Sequence, residues 1–313
     1  MAHRPASIMM PRPGHRWTAE ALLLITAMIW GFAFVAQRAG MSHAGPFAFN
    51  AIRFALGALI LTPFVRKECT KRGATSVRGG ALGILLTGIP LFLGASAQQA
   101  GLVHTTAGKA GFITGLYVVL VPLLALPMGH RPGRRMWYGA TLAVAGLYLL
   151  SMQAGVKLAS GDGLVLVGAF CWAAHVHAVG YFSPRLGPLR LAQAQFAVCA
   201  VLSVASAAVW ESPNARLMGA LVPLLYSGLL SVGVGYTLQV VAQERATPSA
   251  AAIILSLEAV FAALGGWMML GERLSGRQCA GCALMLAGTV WSQIPASCKR
   301  PGYSHAGDAT ARG

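Results

Sequence analysis

Long apolar stretches recur ten times along this chain of 313 residues and constrain its fold more than any other feature. Each is close to the ~20 apolar residues that a helix needs to cross a ~30 Å hydrocarbon core. Charged residues make up only 10% of the chain, whereas soluble proteins have about 25%. The sequence therefore predicts an all-α polytopic membrane protein, with the lipid bilayer as its surroundings. Its ten transmembrane helices are expected at about 19–39, 46–65, 79–100, 109–128, 136–153, 163–182, 191–210, 217–241, 249–270 and 277–294.

The basic residues give the chain a formal net charge of +16. They fall mainly in short loops and form no mixed basic and aromatic surface, so nucleic acid is not expected as a partner. With the N-terminus in the cytoplasm, seventeen Lys and Arg residues lie on the cytoplasmic side and six on the outer side. The positive-inside rule then predicts that both termini are cytoplasmic. Residues 1–16 lack an apolar core, so no cleavable signal peptide is expected.

Metal and nucleotide sites are not indicated. The six cysteines are scattered, and the C-x-x-C formed by Cys279 and Cys282 has no second ligand pair nearby, so both are interpreted as small core residues. The phosphate-binding pattern G-x-x-x-x-G-K-[ST] is missing from the sequence, which argues against a nucleotide-driven pump. No cofactor is expected, and proton coupling stays open.

The two halves of the chain match each other at an offset of 142 residues. Five helices in each half is an odd number, so the second half must be inverted relative to the first. We expect tails at 1–18 and 295–313 and five-helix repeats at 19–153 and 163–294. Inverted repeats place a substrate site near the membrane midplane and allow alternating access, which favours transport over a purely structural bundle. Aligned pairs include Trp30 and Trp172, Pro46 and Pro188, Phe54 and Phe196, and Arg135 and Arg277.

Several segments carry a family resemblance, among them "IWGFAFVAQRAG", "NAIRFALGALIL" and "LSLEAVFAALGGWMMLGERLSGRQCAGCALMLAGTVW". With "AGFITGLYVVLVPLLALPMGHRPGRRMWYGATLAVAGLYLLS", they resemble the EamA-type drug/metabolite transporter superfamily over residues 19–293. The resemblance implies a ten-helix permease of the inner membrane, with two five-helix repeats around a central cavity, that exports metabolites or drugs. The family commonly has Pro after the glutamate that matches Glu258. This chain has Ala259, so the sequence does not by itself predict a kink there.

Glu258 is the one acidic residue deep inside an apolar stretch. A charge at this depth costs at least ~2.5–3.5 kcal/mol, so the side chain should face a partner or a water-filled cavity; the alternative is a protonated residue that packs between helices. Arg53, the only basic residue well inside a span, is the candidate partner, and Asn50 shares its helix face. Either Arg53 and Glu258 pair and lock the two halves together, or Arg53 receives a substrate carboxylate while Glu258 meets an amino group or a proton.

Other polar and aromatic residues at membrane depth either line the cavity or bond a neighbouring helix. For His175 a proton relay is weighed against a buried structural histidine. Arg38 and Lys109, at the outer ends of their spans, are expected to extend to the lipid headgroups. The further candidates for the cavity wall are Gln98, Tyr117, His175, Trp30, Tyr236 and Gln239.

These features predict a secondary transporter of a small molecule and not an enzyme. Glu258 is the only deep acid, and His175 and His177 do not share a helix face. The sequence therefore offers too few suitable residues for an acid pair or a metal site within the membrane. One cation and one anion suit a zwitterion such as an amino acid. A multidrug efflux permease is the alternative, and a non-transporting bundle is the alternative from another class. The substrate, the direction of transport, the coupling ion and the oligomeric state do not follow from the sequence.

Overall fold

The computed structural model of the chain describes residues 13–72, 77–105, 107–151, 159–212, 217–270 and 273–294. Over these ranges the backbone forms helices joined by turns, and no strand is present. The predicted tail at 295–313 lies outside the described residues, and so does 1–12. Residues 13–18 already belong to the first helix, which starts earlier than predicted. Seven basic residues that entered the orientation argument also lie outside: Arg4, Arg12, Lys157, Arg216, Lys299, Arg300 and Arg312.

Helices account for nearly all of the described chain. A 3-10 turn at Leu217–Ala220 precedes α9, and a π-helical segment at Tyr226–Tyr236 separates α9 from α10. The helices are α1 Pro13–Gly40, α2 Pro46–Arg72, α3 Val77–His104, α4 Ala107–Gly115, α5 Tyr117–Ala125, α6 Arg134–Ser151, α7 Asp162–Leu186, α8 Pro188–Trp210, α9 Leu221–Leu225, α10 Thr237–Ala242, α11 Pro248–Leu255, α12 Glu258–Leu270 and α13 Gly276–Gln293.

The described helical stretches include seven that are long and apolar enough to cross a membrane. Lys109–Ala125 is a shorter apolar stretch, and α6 and α13 have 18 residues each. The chain is therefore a multi-pass, all-helical membrane protein. The seven stretches are Trp17–Gly40, Pro46–Glu68, Gly80–His104, Asp162–Leu186, Pro188–Trp210, Leu217–Ala242 and Pro248–Gly265.

Two helices that the sequence predicts to be continuous are interrupted. The predicted helix at 109–128 divides into α4 and α5 at Leu116, whose N–H donates to the carbonyl of Ile113 three residues back, at 3.2 Å. The predicted helix at 249–270 divides into α11 and α12, and there Leu257 donates to Ile254 at 3.1 Å. In both places the hydrogen bond spans three residues where an α-helix has four, which tightens the turn. Glu258 thus becomes the first residue of α12.

Helices α2 and α8 bind each other's N-termini through carboxylates. Glu211, directly after α8, accepts hydrogen bonds from the N–H groups of Phe47 and Ala48 at 2.6 and 2.9 Å. Glu68, near the end of α2, accepts one from the N–H of Arg190 at 2.9 Å. A carboxylate satisfies the free N–H groups of a first helical turn and interacts favourably with the helix dipole. Because each helix ends where the other begins, the two helices are antiparallel.

Helices α6 and α13 approach closely at two glycine pairs. A Cβ atom on Gly139 would lie 2.7 Å from the carbonyl oxygen of Gly288, and one on Gly146 would lie 2.5 Å from that of Gly281. Only glycine allows backbones to come this near, as in other tightly packed membrane helices. The two pairs exchange under the 142-residue offset, since Gly139 aligns with Gly281 and Gly146 with Gly288.

Candidate functional site

A cavity lies where the interrupted helices meet α1, α2, α3, α7 and the π-helical segment. Its empty volume is about 490 Å³, including the part that is open to the outside. The lining residues extend in sequence from Trp30 to Glu258, so the cavity is a product of the tertiary fold. The lining residues are Trp30, Phe34, Gln37, Arg53, Gln98, Thr114, Tyr117, Trp172, Val176, Ser231, Tyr236, Gln239, Leu255 and Glu258.

Most of the residues that the sequence analysis proposed for a cavity meet at this wall. They are Glu258, Arg53, Gln98, Tyr117, Trp30, Tyr236 and Gln239. Asn50 and His175 are placed one layer behind it. The Nε2 atom of His175 lies 2.9 Å from the Oε1 atom of Gln195, and the imidazole ring is fully buried. This position separates His175 from the cavity surface and suits a structural histidine.

Glu258 reaches the cavity from the interruption between α11 and α12. The Oγ of Ser256 donates to the carbonyl of Ile253 at 2.7 Å, within the last turn of α11. The helix breaks before Glu258 although Ala259 stands where the family commonly has proline. Glu258 is 4% exposed, and its Oε1 atom has no hydrogen-bond partner among the described residues.

Arg53 is held by its own helix and by aromatic rings. Its Nε donates to the Oδ1 of Asn50 at 2.9 Å, as their shared helix face predicts. The guanidinium carbon lies 4.9 Å from the ring centroid of Phe54 and 5.8 Å from that of Phe49, which is within cation–π range.

Arg53 and Glu258 line the same cavity, yet in the described part of the chain they form no ion pair with each other. The interpretation of the two residues as a pair that locks the halves together is therefore wrong for this conformation. The side chains of a buried arginine and a buried glutamate instead face a common space. An uncompensated charge in a low-dielectric interior is costly, so each of them in its ionised form favours a ligand that supplies the opposite charge.

Buried acceptor atoms without partners line the cavity together with Glu258. Besides its Oε1, the Oη of Tyr117 and the Oε1 of Gln239 are buried and lack a hydrogen-bond partner within the described residues. The three side chains come from α12, α5 and α10. Unsatisfied buried polar atoms each cost about 1–3 kcal/mol. Carboxylate, phenol and amide oxygens are the acceptors that an ammonium group needs.

Aromatic rings form the wall nearest Arg53, with Tyr236 at their centre. Its ring centroid lies 4.4 Å from that of Trp30, 5.9 Å from Trp172 and 6.0 Å from Phe54. Trp30 is fixed from the other side, since its Nε1 donates to the carbonyl of Ser231 at 3.2 Å. Rings at such spacings stabilise one another beyond the area they bury, so the rings support each other in this wall.

The sequence analysis did not propose Gln37 or Ser231. Gln37 lies seven residues after Trp30 on α1, which places both on one helix face, so this spacing was a usable signal. Ser231 comes from the π-helical segment, where the residues per turn differ from those of an α-helix. Helical periodicity gave no way to predict its orientation.

Lys109 is paired with a carboxylate and largely buried, so its predicted extension to the headgroups is wrong, whereas Arg38 is exposed and also binds protein carbonyls. The Nζ of Lys109 lies 2.6 Å from the Oδ2 of Asp162, which also accepts from the Oγ1 of Thr105 at 2.6 Å through its other oxygen. Arg38 donates to the carbonyls of Leu102 and Thr105. These contacts join α1, α3, α4 and α7 at one end.

Within the described ranges, no group of three His, Cys, Asp or Glu residues is arranged to hold a metal ion.

The sequence matches the EamA-like transporter family twice, over residues 17–152 and 159–293. It is 33% identical over 276 residues to an uncharacterized transporter of Archaeoglobus fulgidus, covering 88% of this chain and 85% of that protein. It is 28% identical over 252 residues to the threonine/homoserine exporter RhtA of Salmonella typhimurium, covering 78% and 81%. A solved crystal structure is similar with a TM-score of 0.75 at 18% identity, covering 88% of this chain and 96% of that one. At that identity the likeness shows the fold alone.

Proposed function

The chain belongs to the EamA-like transporter family and is a membrane transporter, not an enzyme, and we propose that it exports a small zwitterionic metabolite such as an amino acid. In this proposal it is a secondary transporter that works by alternating access through the central cavity. The cavity binds the carboxylate of the substrate at Arg53 and its ammonium group at Glu258, Tyr117 and Gln239.

The observation that carries the proposal is the pair of opposite charges in one cavity. Arg53 and Glu258 are 2% and 4% exposed and do not neutralise each other. A neutral or singly charged ligand would leave at least one of them uncompensated, at the cost expected for a buried charge. A zwitterion compensates both. The curated threonine/homoserine exporters among the relatives have amino acids in their name, which supports the same class of substrate.

The membrane architecture that we infer has ten spans, arranged as inverted repeats at 19–153 and 163–294. The antiparallel α2 and α8, which cap each other, support an inversion, and so do the exchanged glycine pairs of α6 and α13. The fourth span of each half is interrupted, which also supports the inverted repeat, because broken helices of inverted-repeat transporters meet at the substrate site near the midplane. We also infer that both termini lie in the cytoplasm, which the charge bias supports, and that the membrane is the inner one, as the family resemblance implies.

The second candidate function is efflux of larger amphiphiles or drugs. The ring wall of Trp30, Tyr236 and Trp172 favours it, because flat aromatic surfaces bind many apolar ligands without fixed geometry. The zwitterion is preferred because an amphiphile of low charge would leave Arg53 and Glu258 without counter-charges.

The proposal is tested by expressing the wild type and Glu258→Gln at matched membrane levels and by profiling metabolites in cells and medium. Glu244→Gln is the matched control, since it removes a carboxylate that does not line the cavity. We expect amino acids to accumulate outside cells with the wild type and the control but not with Glu258→Gln. Export of aromatic cations or dyes with no movement of zwitterions would overturn the proposal in favour of drug efflux.

A further inference from the structure

Four helices meet at the side chain of Gln98, on the cavity wall. Its Oε1 accepts hydrogen bonds from the Nε1 of Trp172 at 3.1 Å and from the Oγ1 of Thr114 at 3.5 Å, and its Nε2 donates to the Oε1 of Gln37 at 3.4 Å. Gln37, Gln98 and Thr114 all line the cavity and are buried. The cluster is uncharged and contains both donors and acceptors.

Two of these three hydrogen bonds are long. Well-formed bonds have donor–acceptor distances of roughly 2.7–3.2 Å, and the contacts of Gln98 with Thr114 and Gln37 exceed that range. The amide nitrogen of Gln37 donates to no group in the described part of the chain. The cluster therefore has hydrogen-bonding capacity left over, and it faces the same space as Arg53 and Glu258.

We propose that Gln37, Gln98 and Thr114 form a third subsite that binds an uncharged, hydrogen-bonding side chain of the zwitterion. The preferred substrates are then amino acids with a hydroxyl or carboxamide side chain. This inference rests on the proposed function and names the substrate class within it. An apolar side chain would displace water from these amides without replacing its hydrogen bonds, and a charged one would find no counter-charge among the three residues. A site built to bond a hydroxyl group rejects analogues without it much more strongly than an apolar pocket rejects an added hydroxyl.

The alternative role for Gln98 is a structural tie between α1, α3, α4 and α7. The two roles differ in what the loss of the side chain does to selectivity. A tie that is lost weakens transport of every substrate alike. A subsite that is lost weakens transport of hydroxylated substrates and leaves their apolar isosteres unchanged.

Threonine and valine are the probes, because they have the same shape and differ by one hydroxyl group in place of a methyl group. Uptake of each labelled amino acid is measured by counterflow in proteoliposomes that contain purified protein. For the wild type we expect threonine to be transported at least about tenfold better than valine. Gln98→Leu should lower threonine transport to the level of valine while valine transport stays within about twofold.

The neighbouring Gln99 is the matched control. It is equally buried, but it does not line the cavity, and its Nε2 atom lies 3.7 Å from the sulfur of Met41. Gln99→Leu makes the same chemical change one residue away and should keep the threonine preference. Thr114→Val is the second test, because it removes one hydroxyl without changing the shape of the side chain and so preserves folding if Gln98→Leu does not.

The results separate the two proposals. If the wild type transports threonine and valine equally, the subsite is wrong and the amino-acid transporter stands. If Gln98→Leu and Thr114→Val both leave the preference intact, or lower both substrates in parallel, the subsite is also wrong. If no amino acid exchanges in proteoliposomes that do exchange another solute, the proposed function fails first and the subsite with it.

Discussion

The two interrupted helices share a tightened backbone turn and differ in their side chains. Leu116 at the break between α4 and α5 aligns with Glu258 at the break between α11 and α12, under the 142-residue offset. Likewise Arg53 on α2 aligns with Gln195 on α8. Each charge of the cavity thus has an uncharged counterpart in the other half. The comparison teaches that the break belongs to the shared architecture, whereas the charges are particular to one half each.

The break also does not depend on proline at the residue after Glu258. Leu116 and Leu257 each donate to a carbonyl three residues back, and neither turn needs the missing N–H of a proline. What the second half adds is a carboxylate at the point where backbone geometry turns the chain toward the cavity. The helix break and the carboxylate are therefore separable at this position.

The largest effect is expected when the second break is made like the first. Glu258→Leu should lower threonine transport in proteoliposomes roughly ten- to hundredfold, because a charged hydrogen-bonding group contributes about 1.5–3 kcal/mol to binding. The melting temperature of the purified protein should hold or rise, since the change removes a buried, unpartnered polar atom. Loss of transport accompanied by a lower melting temperature would contradict the separation of fold from charge.

The next effect concerns the opposite charge. Arg53→Gln copies the counterpart Gln195 and should weaken threonine competition about tenfold, because it removes the cation that meets the carboxylate. Competition by threoninamide, which has no carboxylate, should change little. For Glu258→Gln, competition by threonine should weaken, whereas competition by N-acetylthreonine, which has no ammonium group, should change little. An equal loss for all three competitors would argue that Arg53 supports the fold and does not contact the substrate.

A smaller effect tests whether the two halves are equivalent away from the cavity. Glu211→Ala and Glu68→Ala each remove a carboxylate that caps the partner helix, at opposite ends of the α2–α8 pair. Each should reduce the free energy of unfolding by about 0.5–2 kcal/mol. The double variant should lose the sum, because the sites are far apart. Measuring denaturant midpoints in detergent checks this, and a loss confined to one end would break the equivalence.

The smallest effect is expected at Ser256, which aligns with Thr114 in the first half. Its hydroxyl donates to the carbonyl of Ile253 in its own helix, whereas that of Thr114 points to Gln98. Ser256→Ala should cost about 1 kcal/mol or less and leave the ratio of threonine to valine transport unchanged. A shift in that ratio comparable with the one expected for Thr114→Val would show that both hydroxyls face the substrate.

Several parts of this protein were predictable from the sequence because they depend on residue type and local spacing. Apolar stretches of sufficient length indicate a membrane wherever they occur. Glu258 and Arg53 could be selected because a charge at membrane depth is costly whatever its neighbours are. The contact of Arg53 with Asn50 follows from a spacing of three residues on one helix.

Other parts were decided by residues that are distant in the chain. The ion pair of Lys109 with Asp162, the position of Gln37 beside Gln98 and the placement of His175 behind the cavity wall each join different helices. Helical periodicity predicts which face a side chain shares, but not which helix that face meets. The π-helical turn that brings Ser231 to the cavity and the two helix breaks depend on packing as well. The sequence by itself determined which residues had to avoid lipid, and the tertiary structure determined what they meet instead, because only packing brings distant side chains into contact.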